Sequence, residues 1–252
     1  MTGWDNFASY YDLYYQDRTV DIGFWADCVK RLGSPILEFS CGTGRLTFPM
    51  ARAGASVIGL DISRPMLKYA KQRLHRENKD IQKNVTLLYG NATNFCIPHV
   101  KFHTILSPWG FPAVTKADQE SLFDSVKRQL LRGGYFVVDT INFQKPEADW
   151  NHFGIQDYKY VSKKKLTIIK NVFNRGSKET EIGQHLILWD IVKENGQMRR
   201  ILTDITERMF TKKDMEQLLQ RHGFTILEEY GNYDKSRWSH ESPRTIIVAQ
   251  KE

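Results

Sequence analysis

The sequence contains no apolar run approaching the roughly 20 residues that a membrane helix needs, so no membrane span is expected. Its first residues, MTGWDNFASYYDLYYQD, are aromatic and acidic and lack the basic and apolar segments of a secretion signal. Cysteine is scarce: Cys28, Cys41 and Cys96 lie far apart and are odd in number. That pattern fits neither a disulfide framework nor a zinc site, and it favours a reducing cytoplasm. No cluster of His, Asp and Glu stands at ligand spacing, so no metal is expected. Internal repeats and low-complexity tracts are missing too. So is the Gly-x4-Gly-Lys-Ser/Thr run of a P-loop.

What is present is material for a core. The 252 residues are 41% hydrophobic and 12% aromatic, enough for one large α/β domain or a domain carrying an insertion. A net charge of +7 raises the question of nucleic acid. However, the basic residues are scattered, as KQRLHR at 71–76, KKK at 163–165 and KK at 212–213, and acidic neighbours such as ENKD follow. They read as solvated faces, and a nucleic-acid partner is not expected.

Short β-rich runs alternate with helical patterns through the first 140 residues. SPILEF (34–39), SVIGLD (56–61), VTLLYG (85–90), FHTILS (102–107) and GYFVVDTI (134–141) predict strands. GRLTFPMARAG, RPMLKYAKQRLHRE and KADQESLFDSVKRQLLRGG predict the helices between them, the last ending at Gly133-Gly134. Near-continuous apolar strands separated by helices imply a parallel sheet covered on both faces, with ligands at the strand carboxyl ends. After Ile141, KLTIIKNVF, EIGQHLILWDIV and MRRILTDITERMF predict a small antiparallel sheet with a turn at Asn195-Gly196. TKKDMEQLLQRHGF then predicts a helix capped by Thr211, and TILEEYG and PRTIIVAQK predict two final strands.

The chemistry concentrates in ILEFSCGTGRLTFPMA, where a strand breaks into a glycine turn and then a helix. Gly42 and Gly44 fit the start of a dinucleotide fingerprint, but Thr47 stands at its third glycine. Glu38, four residues before Gly42, would repel a pyrophosphate and attract an ammonium group. That placement favours S-adenosylmethionine (SAM), which carries a zwitterionic methionine tail, over NAD.

Over essentially its full length the chain resembles class I SAM-dependent methyltransferases, in particular bacterial enzymes that methylate amino sugars or other small metabolites at N or O. Glu38-Phe39-Ser40-Cys41-Gly42-Thr43-Gly44-Arg45 is similar to that family's first motif, which approaches the methionine part of the cofactor. Asp61 matches the acidic residue on the ribose hydroxyls, and Ile62 and Met66 the positions flanking adenine. Gly90-Asn91-Ala92 matches a Gly-Asp-Ala element, with Asn91 and the Ala92 N–H on the adenine edge. Ser107-Pro108-Trp109-Gly110 resembles the fourth motif, beside the methyl group. Two departures stand out: Ser40 replaces a glycine, and Asn91 replaces an aspartate.

The aromatic start predicts a helix with Phe7, Tyr10, Tyr11 and Tyr14 on one face. The resemblance implies a lid over the cofactor, with Tyr11 against the sulfonium and Tyr14 orienting the acceptor. His185 and His240 are the remaining catalytic candidates, and Trp109, Trp189, Arg208, Tyr233 and Trp238 the candidate acceptor walls. The expected organisation is a helical lid over residues 1–33, a Rossmann-like core over 34–141 and an antiparallel insertion over 142–210. A helix and two strands completing a seven-stranded, mostly parallel sheet follow over 211–252. The expected activity is methyl transfer to a small-molecule acceptor, by one chain or a homodimer. An RNA methyltransferase and a non-catalytic SAM-binding regulator are the alternatives.

Overall fold

A computed structural model describes residues 3–144, 149–177 and 179–252. Five strands form the parallel part of a sheet: β1 (Ile36–Phe39), β2 (Val57–Asp61), β3 (Val85–Tyr89), β4 (Phe102–Ser107) and β5 (Leu130–Ile141). Two more, β10 (Phe224–Tyr230) and β11 (Arg244–Lys251), complete the order β10-β11-β5-β4-β1-β2-β3. β11 runs antiparallel to β5 and to β10, as a strand entering from a short return connection can. All four residues of β1 are buried, because helices cover both faces.

Alternation along β5 divides the core. Phe136 and Val138 face α6 (Lys116–Gln129) and α7 (Lys212–Arg221), packing with Phe39, Leu122, Phe123 and Leu219. Val137 faces α2 (Ile22–Leu32) and α3 (Thr47–Arg52), packing with Trp25, Cys28, Phe48 and Val57. α6 and α7 both begin in capping boxes, Thr115 with Asp118 and Thr211 with Asp214, which satisfy donors at the helix start. α6 ends at Gln129, earlier than its sequence pattern implies. Leu130 instead pairs with Phe102 and opens β5, and Gly133, at φ +72, carries the chain through an irregular entry to the strand. α4 (Arg64–Leu74) likewise stops before His75, and a short α5 (Lys79–Asn84) precedes β3.

The insertion is a four-stranded antiparallel sheet, β6 (Trp150–Val161), β7 (Leu166–Gly176), β8 (Ile182–Lys193) and β9 (Met198–Arg208), in sequential order. The sequence pattern predicts only the last three. β6 lacks a continuous apolar run and exposes Phe153 and Tyr158. Residues 145–148 and 178, within the expected insertion, lie outside the described residues.

The inner face of that sheet buries Ile187, Trp189, Ile191 and Ile201 against the N-terminal segment. Phe7 stacks on Trp189 at 3.8 Å between ring centroids, and Tyr14 meets the same ring edge-on at 5.0 Å. α1 (Ala8–Tyr15) is thereby held between the insertion and α4. Full burial of one large apolar side chain is worth about 2–3 kcal/mol. Among the described residues no helix is long and apolar enough to cross a membrane.

Candidate active site

The site lies at the carboxyl ends of β1, β2 and β4, under the insertion. After Phe39 the backbone turns through Ser40 at φ +52, Gly42 at φ +57 and Gly44 at φ +82. This left-handed backbone explains why a glycine is favoured at position 40 and marks Ser40 as strained. At Gly44 a Cβ would stand 2.3 Å from the Phe48 ring, so only glycine fits. Gly44 N–H closes the turn on the Cys41 carbonyl at 2.9 Å.

Asp61 is bound into the same turn. Its Oδ2 accepts from Gly42 N–H at 2.7 Å and its Oδ1 from Ser63 N–H at 2.7 Å. Burial pushes its carboxyl up, and the two backbone donors oppose that shift. Each oxygen keeps a further lone pair. Ser63 in turn caps α4 by accepting from Met66 N–H, and its hydroxyl donates to Asp5 of the N-terminal segment.

Two adjoining cavities share Ser40, Asp61, Ile62 and Pro112. One, of about 270 Å³, is also lined by Asn91, Ala92 and Asp118. The other, of about 300 Å³, extends to Trp4, Tyr11, Gly42, Met66, Trp109 and Glu207. Asn91 Oδ1 accepts from Thr93 N–H at 2.9 Å, which fixes the loop and leaves one acceptor site on the amide.

Other expected contact residues stand behind these walls. Glu38 is buried, accepts from Thr47 Oγ1 at 2.5 Å and does not line either cavity; burial pushes its carboxyl up to about 8, against the Thr47 hydrogen bond. Cys41 packs beside Gly59, and Ser107 Oγ donates to the Gly110 carbonyl at 2.7 Å. Arg45 is engaged by Asp21, Nη1 to Oδ1 at 2.8 Å and Nη2 to Oδ2 at 2.6 Å. Asp21 is fully buried, yet its pairing with Arg45 holds its carboxyl below the ordinary value despite that burial. Its Oδ2 also accepts from Trp109 Nε1 at 2.7 Å.

Trp109 is the floor of the larger cavity. Its backbone is left-handed, at φ +61, and its N–H donates to Asp139. Arg18 lies 3.4 Å above one ring centroid and Arg244 4.1 Å from the ring, a cation–π arrangement.

Several candidates from the sequence are placed elsewhere, which corrects their expected positions. Tyr14 lies outside the cavities, because its hydroxyl donates to Asp157 Oδ2 at 2.5 Å and its ring packs on Trp189. Trp189 is wholly buried, its Nε1 donating to Thr203 Oγ1 at 3.1 Å. Tyr233 is buried behind Trp109, its hydroxyl donating to Asp139 at 2.9 Å. Trp238 donates to Thr245 and packs on His240, an exposed residue beside Gln144. None of these lines the two cavities. His185 is one step removed: its Nε2 stands 2.7 Å from Glu207 Oε1, and its Nδ1 is 2.7 Å from Asn174 Oδ1. Arg208 pairs with Glu181 at 2.8 Å and lines only a small side chamber.

Glu207, Trp4, Asp118 and Arg244 were not among the sequence candidates. Alternation along TDITER puts Thr203, Ile205 and Glu207 on one face of β9. Glu207 then lies diagonally across from His185 on β8, since His185 pairs with Ile205. That signal was available once His185 had been singled out.

A family model described as a methyltransferase domain matches residues 36–134. An uncharacterized methyltransferase from Anoxybacillus flavithermus is 32% identical over 120 residues, which cover 48% of this chain and 53% of that protein. The chain spans between about half and two thirds of the length of the curated relatives it matches. The CcbJ methyltransferase of Streptomyces caelestis superposes with a TM-score of 0.83 at 19% identity, covering 100% of this chain and 98% of that one. CalS10, a SAM-bound amino pentose methyltransferase of Micromonospora echinaspora, superposes with a TM-score of 0.68 at 19% identity, covering 96% of each. At such identities the likeness is one of fold. Residues 36–134 thus match a methyltransferase-domain model, and the fold of the whole chain is similar to that of these methyltransferase structures.

Proposed function

We propose that this chain transfers the methyl group of SAM to an N or O atom of a small-molecule acceptor, in a reducing cytoplasm that its three unpaired cysteines support. The observation that carries the reading is Asp61. Its two oxygens are held by backbone donors from the glycine turn and from the start of α4, in the wall shared by two adjoining cavities. The polar groups fit the cofactor: a carboxylate with two free lone pairs for ribose hydroxyls, an amide oxygen at Asn91 for the adenine amino group, and the Gly42 carbonyl, its N–H being taken by Asp61, for the ammonium of the methionine tail. Bound there, SAM would supply an electrophilic methyl on a sulfonium, a good leaving group.

The chain's own residues then have to align and desolvate the acceptor, which can provide most of the acceleration in an in-line displacement. Trp109 forms the floor, Tyr11 the side wall and Glu207 the roof of the cavity beside the turn. Tyr11 supplies an aromatic side chain suited to a sulfonium cation, whereas the Trp109 ring already carries the Arg18 and Arg244 guanidinium groups.

Calorimetry with S-adenosylhomocysteine, together with Asp61→Ala, tests the reading. The wild type should bind, and the variant should bind at least about tenfold more weakly, a loss of about 1.4 kcal/mol, with its circular dichroism unchanged. Equal affinity for the two proteins would refute the ribose assignment.

A further inference from the structure

Beside Trp109 the larger cavity adjoins a side chamber of about 60 Å³, lined in part by Glu207, Arg208 and Arg244. The two spaces share Trp109, Gly110, Phe111 and Glu207. Arg208 is committed to Glu181. Arg244 is only 6% exposed. Its Nε donates to Asp139 Oδ1, but its Nη2 is buried with no hydrogen-bond partner among the described residues. Asp139 cannot easily serve it further, because its Oδ2 already accepts from the Tyr233 hydroxyl and the Trp109 N–H. Buried charged donors without acceptors are costly and rare, so such an edge points to a missing acceptor.

The opposite charge stands in the same chamber. Glu207 lines it, with His185 Nε2 2.7 Å from its Oε1 but making no hydrogen bond to it. Among the described residues no ion pair joins Glu207 to Arg244, so a carboxylate and a guanidinium share a small space without satisfying one another. Arg18, 3.4 Å from a Trp109 ring centroid, adds a second positive charge at the ring that Arg244 also approaches.

We propose that the acceptor is a small zwitterionic amine, its carboxylate received by Arg244 and its amino nitrogen by Glu207. This deepens the methyltransferase reading and rests on it. The ammonium form of such an acceptor has no lone pair to give. One of its protons passes to the Glu207 carboxylate, the nitrogen lone pair forms a bond to the methyl carbon, and the electrons of the breaking carbon–sulfur bond remain on sulfur as a thioether.

The test uses the full chain saturated with S-adenosylhomocysteine. By calorimetry it is titrated with amino acids and amino-sugar carboxylates, each beside the amine lacking its carboxylate and the acid lacking its amine. At least one zwitterion should bind about tenfold or more tightly than its decarboxylated amine. Arg244→Gln, which strands the buried Asp139, and Arg244→Lys, which keeps a cation beside it, should both collapse that preference, with retained S-adenosylhomocysteine binding showing that each variant is folded. Glu207→Gln should weaken discrimination between the zwitterion and its deaminated acid and leave the carboxylate preference in place. Equal binding of zwitterion and amine, binding of none of the probes, or a preference that survives Arg244→Gln would overturn the proposal. A chain that fails to bind S-adenosylhomocysteine would instead overturn the methyltransferase reading.

Discussion

Asp21 Oδ2 accepts from Arg45 Nη2 and from Trp109 Nε1 at once, at 2.6 and 2.7 Å. One carboxylate at the head of α2 therefore ties the glycine turn to Trp109 in the wall of the larger cavity. Removing one partner of a buried ion pair strands the other charge and costs about 3–5 kcal/mol. Asp21→Asn, which keeps the volume and one acceptor, should fall near the lower end, at about 3 kcal/mol. Urea denaturation would measure it, and an unchanged midpoint would show that the Arg45 pair contributes nothing net.

Ser40 holds a left-handed backbone without being glycine. That conformation costs a side-chain-bearing residue roughly 1–2 kcal/mol. Glycine removes the strain but adds unfolded-state entropy, so Ser40→Gly should stabilise by no more than about 1 kcal/mol. Ser40→Val, β-branched, should destabilise. Thermal unfolding of the two variants would check the order, and a valine variant as stable as the glycine one would contradict the strain.

Glu38 gives the fold a pH dependence. Burial, opposed by the Thr47 hydroxyl, raises its carboxyl from an ordinary 4.5 to about 8. The folded chain then holds this proton more tightly than the unfolded chain, so its contribution to stability falls as pH rises from about 4.5 to about 8. Glu38→Gln cannot ionise. Its thermal midpoint should gain on that of the wild type steadily across that window, and a difference independent of pH would refute the raised value.

Tyr14 presents its hydroxyl to Asp157 on β6 rather than to a ligand. Tyr14→Phe should cost about 1 kcal/mol of stability, the net worth of one hydrogen bond, and leave S-adenosylhomocysteine affinity unchanged. A loss of affinity with stability intact would return this residue to the cavity.

How far the site could be read from sequence depended on how local its chemistry is. Gly42, Gly44 and Asp61 were legible because a tight turn and a carboxylate after the next strand have few other uses together. Ser40 could be seen as a departure, but its strain appears only in the backbone. The aromatic stripe was legible as a helix face and not as a destination. Tyr11 reaches the cavity while Tyr14, less than one turn on, packs on Trp189, a residue 175 positions away. Glu207 was overlooked beside Arg208 because its importance comes from a cross-strand neighbour and from Trp109 beneath it. β6 was missed because its exposed aromatics break the pattern that marks a strand with one buried face.

The stacking of Phe7 on Trp189 has a consequence for how this chain can be taken apart. The proposed acceptor side is a discontinuous module: its roof is cut from the strands β6 to β9 and its underside from the segment Trp4–Tyr15. Grafting the insertion alone onto another scaffold would carry across an oily sheet face with nothing beneath it, and deleting the chain's start would bare the same face here. Exchange of acceptor preference between such proteins therefore has to move both segments together, as a matched pair.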